Sequence, residues 1–268
     1  MKRKLENLFL PNEYVGVECF IDENELSLVC VKVRVGRKGD IKVESERTFS
    51  GFEEFKESGF SNANRIILSI DGTRCVHRFF TSTEHLKMSK EESSNFANDR
   101  IIIHKREFSK CSTFSAIPKD EFDILMDKIK LAGIKILRLD FGPWNALRLL
   151  KSLRSDITLR THKRNLRFQD GVIVSIAKNE SNDEEGYSVG DLTVTGRYLV
   201  SFSNVMEYIL SRESHSFKSF DISILLSAKD LIYEGIARIS VIYIFLLLLI
   251  SFISFIVRDN LGSHFDSL

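Results

Sequence analysis

The chain lacks several features that would assign it to a protein class at once. Only 3 of its 268 residues are proline and 14 are glycine, which excludes collagen-like and proline-rich disordered proteins. The 38 Lys and Arg residues almost balance the 37 Asp and Glu residues, so the formal net charge is +1. Because nucleic-acid binding depends on a surplus of cations, this balance excludes a histone-like polycation and predicts no nucleic-acid partner.

Motifs that carry common enzymatic chemistry are also missing. The sequence has no G-x-x-x-x-G-K-[ST] phosphate loop, no G-x-S-x-G nucleophile elbow and no G-x-G-x-x-G after a predicted strand. The 6 histidines are far apart and form no H-x-x-x-H or H-x-x-H pair. The sequence therefore predicts no catalytic residue, no cofactor and no metal.

Two groups of chemically active residues have simple interpretations. The 4 cysteines form no C-x-x-C pair, which predicts reduced thiols packed as small core residues: Cys19, Cys30, Cys75 and Cys111. A basic cluster comprises Arg160, Lys163, Arg164 and Arg167. Given the balanced overall charge, we interpret this cluster as solvated surface, with contact to phosphate or anionic lipid as the alternative.

One long apolar run stands out near the C-terminus, Ile239–Val257. Its 19 residues carry no charge, and as an α-helix they would extend roughly 28 Å, close to the hydrocarbon thickness of a bilayer. Arg238 and Arg258 bracket the run, where their guanidinium groups would reach the membrane interface. The run predicts one transmembrane helix.

The N-terminus does not have the pattern of a secretory signal. Its apolar stretch is only Leu8–Leu10, between Glu6 and Pro11. We therefore expect the hydrophilic domain to be cytoplasmic and the chain to be a single-pass membrane protein. Residues 223–238 would form an amphipathic juxtamembrane helix, and residues 258–268 a short tail on the other side of the membrane.

The hydrophilic part begins with a strand-rich pattern. Near-alternating apolar residues predict three antiparallel strands and then a short helix: Tyr14–Phe20, Glu25–Val35, Ile41–Phe49 and Phe52–Ser58. Arg65–Asp71 is a further apolar strand. Asp71-Gly72 is a favoured turn dipeptide, so we expect Thr73–Phe80 to pair with this strand as a hairpin.

Helices and strands alternate in the later part. A helix is predicted over Pro118–Leu131, with an apolar stripe and Gly133 as its stop: Phe122, Leu125, Met126, Ile129 and Leu131. Further predicted elements are a strand at Lys135–Asp140, a helix at Pro143–Leu153, a helix at Ser89–Asn98, strands at Ile101–Ile103, Thr113–Ile117, Gly171–Ala177 and Asp191–Thr195, and a strand-to-helix segment at Tyr198–Ser211. Together they predict a mixed α/β fold.

Four segments carry a resemblance to a known family, and one of them is the Arg65–Asp71 strand with its expected hairpin partner. The strand Val15–Glu18, with the turn and antiparallel pair after it, resembles the first lobe of the actin-like ATPase fold. Asp120–Leu139, with Ala132-Gly133-Ile134 at its centre, resembles a helix, A-G-[IL], strand signature. Asp140–Leu150 resembles the next segment of the family, in which a strand is followed by Pro-x-x-Ala-Leu and a helix. This branch contains the PilM-like proteins of type IV pilus assembly and the cytoplasmic domain of GspL in type II secretion.

The resemblance implies an α/β fold that is a partial, degenerate and truncated actin-like ATPase fold, followed by one C-terminal transmembrane helix. The first lobe would span residues 12–157 and a partial second lobe residues 158–222. The family opens with a D-x-G-[ST] phosphate turn, where this chain has Glu18-Cys19-Phe20. The bulk of Phe20 predicts no room for phosphate and no ATPase activity. GspL proteins also carry a folded periplasmic domain, which eleven tail residues cannot form.

The resemblance implies a non-catalytic scaffold that docks the assembly ATPase and platform proteins at the bacterial inner membrane. One alternative is a membrane-tethered nucleotide-binding enzyme, for which Glu18 and Asp140 would be the acidic residues at the nucleotide. Another is a tail-anchored adaptor unrelated to secretion. Trp144, the single tryptophan, is either a core residue or an anchor in a partner interface. Homo-oligomerisation stays open.

Overall fold

The structure is a computed structural model. It describes residues 13–22, 25–36, 39–60, 65–81, 100–107, 111–149, 156–169, 172–180, 185–211, 237, 240–241 and 243–254. Contacts divide the chain into two units, one spanning Asn12–Leu225 and the other Met1–Pro11 with Leu226–Leu268. The first unit contains all of the strands among the described residues.

Strands dominate this unit. In chain order they are β1 (Glu13–Asp22), β2 (Glu25–Val35), β3 (Ile41–Phe49), β4 (Ile66–Gly72), β5 (Val76–Thr81), β6 (Ile101–Glu107), β7 (Cys111–Pro118), β8 (Ile136–Phe141), β9 (Ile157–Arg160), β10 (Arg164–Gln169), β11 (Val172–Lys178), β12 (Gly186–Val189) and β13 (Leu192–Thr195). The helices are α1 (Phe52–Glu57), α2 (Lys119–Leu131), α3 (Ala146–Leu149) and α4 (Leu199–Ser211), the last preceded by a 3₁₀ turn at Gly196–Tyr198.

The main sheet has the strand order β3-β2-β1-β4-β8. The antiparallel meander predicted from the sequence is confirmed, because β2 pairs antiparallel with both β1 and β3. β4 pairs in parallel with β1 on one side and β8 on the other. One face of the sheet is apolar and packs in a common core with residues of α1 and α2, such as Phe55 and Phe122.

The predicted hairpin of β4 with β5 is wrong. Both edges of β4 are already paired, with β1 and β8, so no edge is left for β5. The chain turns at Gly72, where the Cys75 amide donates to the Gly72 carbonyl at 3.1 Å, and leaves the sheet. β5 pairs instead with β7 in a second sheet, of order β5-β7-β6.

Helix α2 confirms its sequence prediction with one exception. Phe122, Leu125 and Ile129 are buried, as the apolar stripe requires, whereas Leu131 is 86% exposed. Leu131 therefore does not belong to the stripe. Gly133 has a φ of 69°, the left-handed conformation that glycine adopts at low cost after a helix.

Several short elements differ from the predictions. β9, β10 and β12 were not predicted, and β9 and β10 form a three-stranded sheet with β11. They are short strands rich in polar and basic residues, which hides their pattern. Residues 199–211 are helical throughout, without the initial strand. The predicted Pro143–Leu153 helix is observed only as α3, with residues 150–155 outside the described ranges. The predicted Ser89–Asn98 helix also lies outside them.

The second unit is described at residue 237 and within its apolar run. Residues 243–254 are helical, and large apolar side chains such as Phe245 (66%) and Leu248 (64%) are exposed. In the stretches that the structure describes, no helix has both the length and the apolarity needed to cross a membrane. Arg238, Ile239, Val257 and Arg258, with most of residues 223–238 and all of 258–268, lie outside the described residues.

The face of the main sheet opposite the apolar core is covered by α4, which packs on β1, β2 and β4. The approach is close at Gly16 of β1. A Cβ atom there would collide with the backbone carbonyl of Ser201 and with the side chain of Val205. Glycine at this position therefore sets the distance between helix and sheet.

We expect Gly16→Ala to destabilise the full chain by about 3 kcal/mol or more, because backbone atoms of α4 must move. Gly51→Ala is the matched control, since a Cβ atom there meets no atom within 4 Å. Its free energy of unfolding should stay within about 0.5 kcal/mol of wild type. Urea unfolding followed by tryptophan fluorescence measures both, and equal effects would contradict the close-approach argument.

Candidate functional site

Polar and charged side chains line the sheet face beneath α4. Glu18 of β1, Ser69 of β4 and Asp140 of β8 lie opposite one another in the strand register. Neighbouring strands are about 4.8 Å apart, so the three side chains form one row on the same face. α4 adds buried Asn204 and Glu207. We call this set, together with the charged groups that pair with it, the ionic layer.

The first half of the ionic layer surrounds Asp71 at the carboxyl end of β4. Arg164 donates from Nε to Oδ2 of Asp71 at 3.0 Å, and from Nη2 to Oδ1 at 2.8 Å and to the Gly72 carbonyl at 2.9 Å. His77 Nε2 lies 2.7 Å from Oδ1. Burial by itself would raise the pKa of Asp71, but His77 and Arg164 outweigh it and hold that pKa well below its usual value.

His77 continues this network towards the protein interior. Its Nδ1 lies 2.9 Å from Ser115 Oγ, and the indole nitrogen of Trp144 donates to the same oxygen at 2.7 Å. An Asp–His–Ser sequence of contacts is also the pattern of a nucleophilic triad. Ser115 is only 1% exposed and already accepts the indole proton, so substrate has no access to it. The contacts from Asp71 through His77 and Ser115 to Trp144 connect β4, β5, β7 and the turn before α3.

Trp144 is placed in the interior. It is 1% exposed, and its ring meets His77 edge-on with centroids 5.7 Å apart. Of the two roles weighed from the sequence, this location corresponds to the core residue. The indole does not reach the surface, where a partner would contact it.

The second half of the ionic layer surrounds Asp140. Arg138 Nε lies 2.8 Å from Asp140 Oδ2, and Asn145 donates to the same oxygen at 2.9 Å. Arg106 bonds Asn145 and donates to Glu207 of α4 at 2.8 Å. Burial would raise the pKa of Asp140, but the two guanidinium groups and Asn145 lower it. Its charge is therefore compensated inside the protein.

Glu18 differs from these carboxylates. It is 1% exposed, and neither carboxyl oxygen has a hydrogen-bond partner among the described residues. Its backbone amide donates to Ser201 Oγ at 3.1 Å, which positions the residue without solvating its carboxyl group. Burial and the neighbouring Asp71 charge raise the pKa of Glu18 to about 8. Glu18 is therefore protonated at neutral pH.

The turn between β9 and β10 covers the carboxyl ends of β1 and β4. Lys163 Nζ and the Arg164 guanidinium lie 5.5 Å and 5.9 Å from the ring centroid of Phe20, which is 3% exposed. His162 Nε2 lies 3.4 Å from Ser27 Oγ at the start of β2. The prediction of a solvated basic cluster is wrong for Arg164, because its guanidinium binds Asp71 within the ionic layer.

These contacts decide what the layer is able to bind. Ligands of open α/β sheets bind at the carboxyl ends of parallel strands, and here Phe20 and Arg164 occupy that position. Glu18 and Asp140 share one row, but of the two carboxyl groups the one with hydrogen-bond partners among the described residues is that of Asp140. Among the described residues, no group of three His, Cys, Asp or Glu side chains is arranged to hold a metal ion. The paired charges compensate one another, and Glu18 is the carboxyl group of the layer whose two oxygens have no hydrogen-bond partner among the described residues.

Sequence reasoning missed most of this layer. Arg164 and Glu207 lie far from Asp71 and Asp140 in the chain, and no short motif links them to His77, six residues after Asp71. One signal was present: α4 carries Ser201, Asn204 and Glu207 at helical spacing within a largely apolar helix. Buried polar groups at that spacing indicate polar partners on the facing sheet.

Comparison with known proteins adds the following. No family model matches the sequence, and no curated protein matches it. Solved structures similar to this chain include the cytoplasmic domain of EpsL, an inner-membrane component of the type II secretion system of Vibrio cholerae. That domain is 8% identical, with 62% of this chain and 70% of that chain covered and a TM-score of 0.41.

A chain of the PilM-PilN type IV pilus biogenesis complex is 11% identical, with 62% of this chain covered and a TM-score of 0.42. This chain spans 60% of the length of that one. A Bacteroides thetaiotaomicron protein with an actin-like ATPase fold is 11% identical, with 63% and 71% of the chains covered and a TM-score of 0.34. The resemblance stated from the sequence is confirmed: the chain is similar to proteins of these two systems.

We expect Asp71→Asn to destabilise the protein by about 3 kcal/mol or more at pH 7, because it leaves the Arg164 cation buried beside a neutral group. Asp71 has a lowered pKa when folded, so its stabilising effect is lost as pH falls below the ordinary Asp value. The difference in the free energy of unfolding between Asp71→Asn and wild type should therefore become smaller at acidic pH.

Asp123→Asn is the control, because the Lys119–Asp123 pair on α2 is about half exposed. Removing that pair should change the free energy of unfolding by less than about 0.5 kcal/mol. Urea unfolding at several pH values measures both variants. An Asp71→Asn protein as stable as the Asp123→Asn protein would contradict the structural role of the Asp71 pair.

Glu18→Gln should change the pH dependence of stability. Folded Glu18 keeps its proton to about pH 8, whereas the unfolded carboxyl ionises near 4.5, so the folded state binds more protons between these values. Stability therefore falls as pH rises through this window, by up to about 1.4 kcal/mol per pH unit. The Gln variant should lack this component in thermal unfolding from pH 5 to 8. An unchanged slope would show that Glu18 ionises freely.

Proposed function

We propose that this chain is a non-catalytic, membrane-anchored scaffold of a type II secretion or type IV pilus-like machine. Its folded domain, a degenerate and truncated actin-like fold, would dock the cytoplasmic assembly ATPase and platform proteins at the bacterial inner membrane. The class of machine comes from the sequence resemblance of Asp120–Leu150. A scaffold needs only complementary surfaces and a tether that raises local concentration.

The absence of catalysis rests on one observation, the occupied carboxyl ends of β1 and β4. Arg164 makes three hydrogen bonds to Asp71 and Gly72 there. A nucleotide phosphate would have to displace this arginine and would then lie beside the Asp71 and Asp140 carboxylates. Both carboxylates have lowered pKa values and repel an anion.

Anchoring is assigned to residues 239–257. Supporting it are the absence of charge in this run and the exposed apolar side chains around the helix at residues 243–254. Exposed apolar surface of this kind marks a contact with lipid or with another protein. The hydrophilic domain would then be held at the membrane through its C-terminal side.

Partner capture tests the function. The full chain, solubilised from its native membranes with detergent, should co-purify with a secretion or pilus ATPase or its platform proteins, identified by mass spectrometry. Dominance of unrelated partners would favour the tail-anchored adaptor. Equilibrium dialysis with Mg-ATP should show no binding at micromolar nucleotide. Micromolar affinity would overturn the non-catalytic assignment and favour the nucleotide-binding enzyme.

Leu248→Arg should release the protein from membranes, because a guanidinium near the middle of an anchoring helix costs about 3 kcal/mol. Val174→Arg on β11 is the matched control, since Val174 is 42% exposed on a strand of the folded domain. Alkaline extraction of membranes should recover wild type and the control in the pellet and Leu248→Arg in the supernatant. Membrane retention of Leu248→Arg would contradict the anchor.

A further inference from the structure

Glu18 is the unbalanced group of the ionic layer. Asp71 is paired with Arg164, Asp140 with Arg138, and Glu207 with Arg106. These pairs match three carboxylates with three guanidinium groups. Glu18 is a fourth buried carboxyl, with both oxygens unpartnered among the described residues. A neutral Glu18 fits this arrangement, whereas an ionised Glu18 would have no guanidinium paired with it and no hydrogen-bond donor on its oxygens.

The groups that face Glu18 differ between its packing elements. β4 presents the Asp71 carboxylate, with His77 behind it, and the β9–β10 turn presents Lys163 and Arg164. On β2, the residue opposite Glu18 is Val29. α4 presents the neutral Ser201 and Asn204. The cations within reach are therefore on the turn, and Arg164 is already bound to Asp71.

We propose that Glu18 is the proton switch of a clasp formed by residues 161–164 at the β9–β10 turn. With Glu18 protonated, Arg164 stays on Asp71 and the clasp holds the carboxyl ends of β1 and β4 closed. When Glu18 loses its proton, the Glu18 and Asp71 carboxylates lie side by side with Arg164 as their one guanidinium. The clasp then moves away from the sheet, so that water solvates the second charge. This inference concerns the conformation of the layer and does not depend on the proposed function.

The clasp contains another titratable group, His162. Burial and the nearby Lys163 lower the pKa of His162 to about 4, so it stays neutral between pH 5 and 8. The contacts that hold the clasp to the main sheet are polar or cation–π contacts: Arg164 on Asp71, His162 on Ser27, and Lys163 and Arg164 on Phe20. Water replaces such contacts more readily than it replaces packed apolar side chains.

The single tryptophan reports on this event. Trp144 is connected to the clasp through Ser115, His77 and Asp71. When Arg164 leaves Asp71, the hydrogen bonds of His77 rearrange beside the indole ring. Tryptophan emission of the full chain in detergent therefore follows the clasp without an added label.

The test is a titration of Trp144 emission from pH 5 to 8.5. For wild type we expect one proton-linked transition with its midpoint at or below about pH 8, the ratio of open to closed protein rising by up to about tenfold per pH unit. Glu18→Gln, which stays neutral, should show no transition. Far-UV circular dichroism should be unchanged over the same range, since the clasp opens locally.

Arg164→Gln provides a second arm, because the clasp then lacks its cation. This variant should show the high-pH emission of wild type already at pH 6. A wild type without a transition overturns the proposal. A transition that persists in Glu18→Gln overturns it too, because the proton then belongs to another group. If Glu18→Gln does not fold, the Arg164→Gln variant decides. The proposal is overturned if that variant, at pH 6, shows the emission that wild type has at low pH.

Discussion

The arrangement of this domain depends on one constraint: charges buried between the main sheet and α4 must be neutralised without water. Removing a charged group from water costs several kcal/mol, so each carboxylate there requires a cation or must keep its proton. Asp71 and Asp140 follow the first route and Glu18 the second. The position of the β9–β10 turn follows from this requirement, because Arg164 is the cation that reaches Asp71.

The same constraint connects structure to function. Where an open α/β sheet would receive a ligand, this protein places its own arginine and the Phe20 ring, with Lys163 and Arg164 above that ring. An internal ion pair at that position removes the charge that would attract a phosphate or a metal. The folded domain then offers its outer surfaces for contacts, as the proposed scaffold function requires.

Much of the fold was predictable from local pattern. The meander, α2 and the strand after Gly133 follow from alternation, amphipathic spacing and a glycine stop. Sheet membership was less predictable. Asp71-Gly72 favours a hairpin locally, but β4 has both edges paired, and the sequence around the turn does not reveal pairing with distant strands. β9 and β10 were missed because they are short and rich in polar and basic residues, so they show no apolar alternation.

The sequence by itself determined the α/β class, the apolar face of the main sheet, the missing phosphate turn at Glu18-Cys19-Phe20 and the uncharged run at residues 239–257. These features depend on residue type and on spacing over a few residues. Only the tertiary structure decided that Arg164 neutralises Asp71, that Trp144 is buried against His77, and that Glu18 has no partner. Such pairings join residues tens of positions apart. Burial makes each of these interactions stronger, and no single segment of the sequence determines which residues are buried.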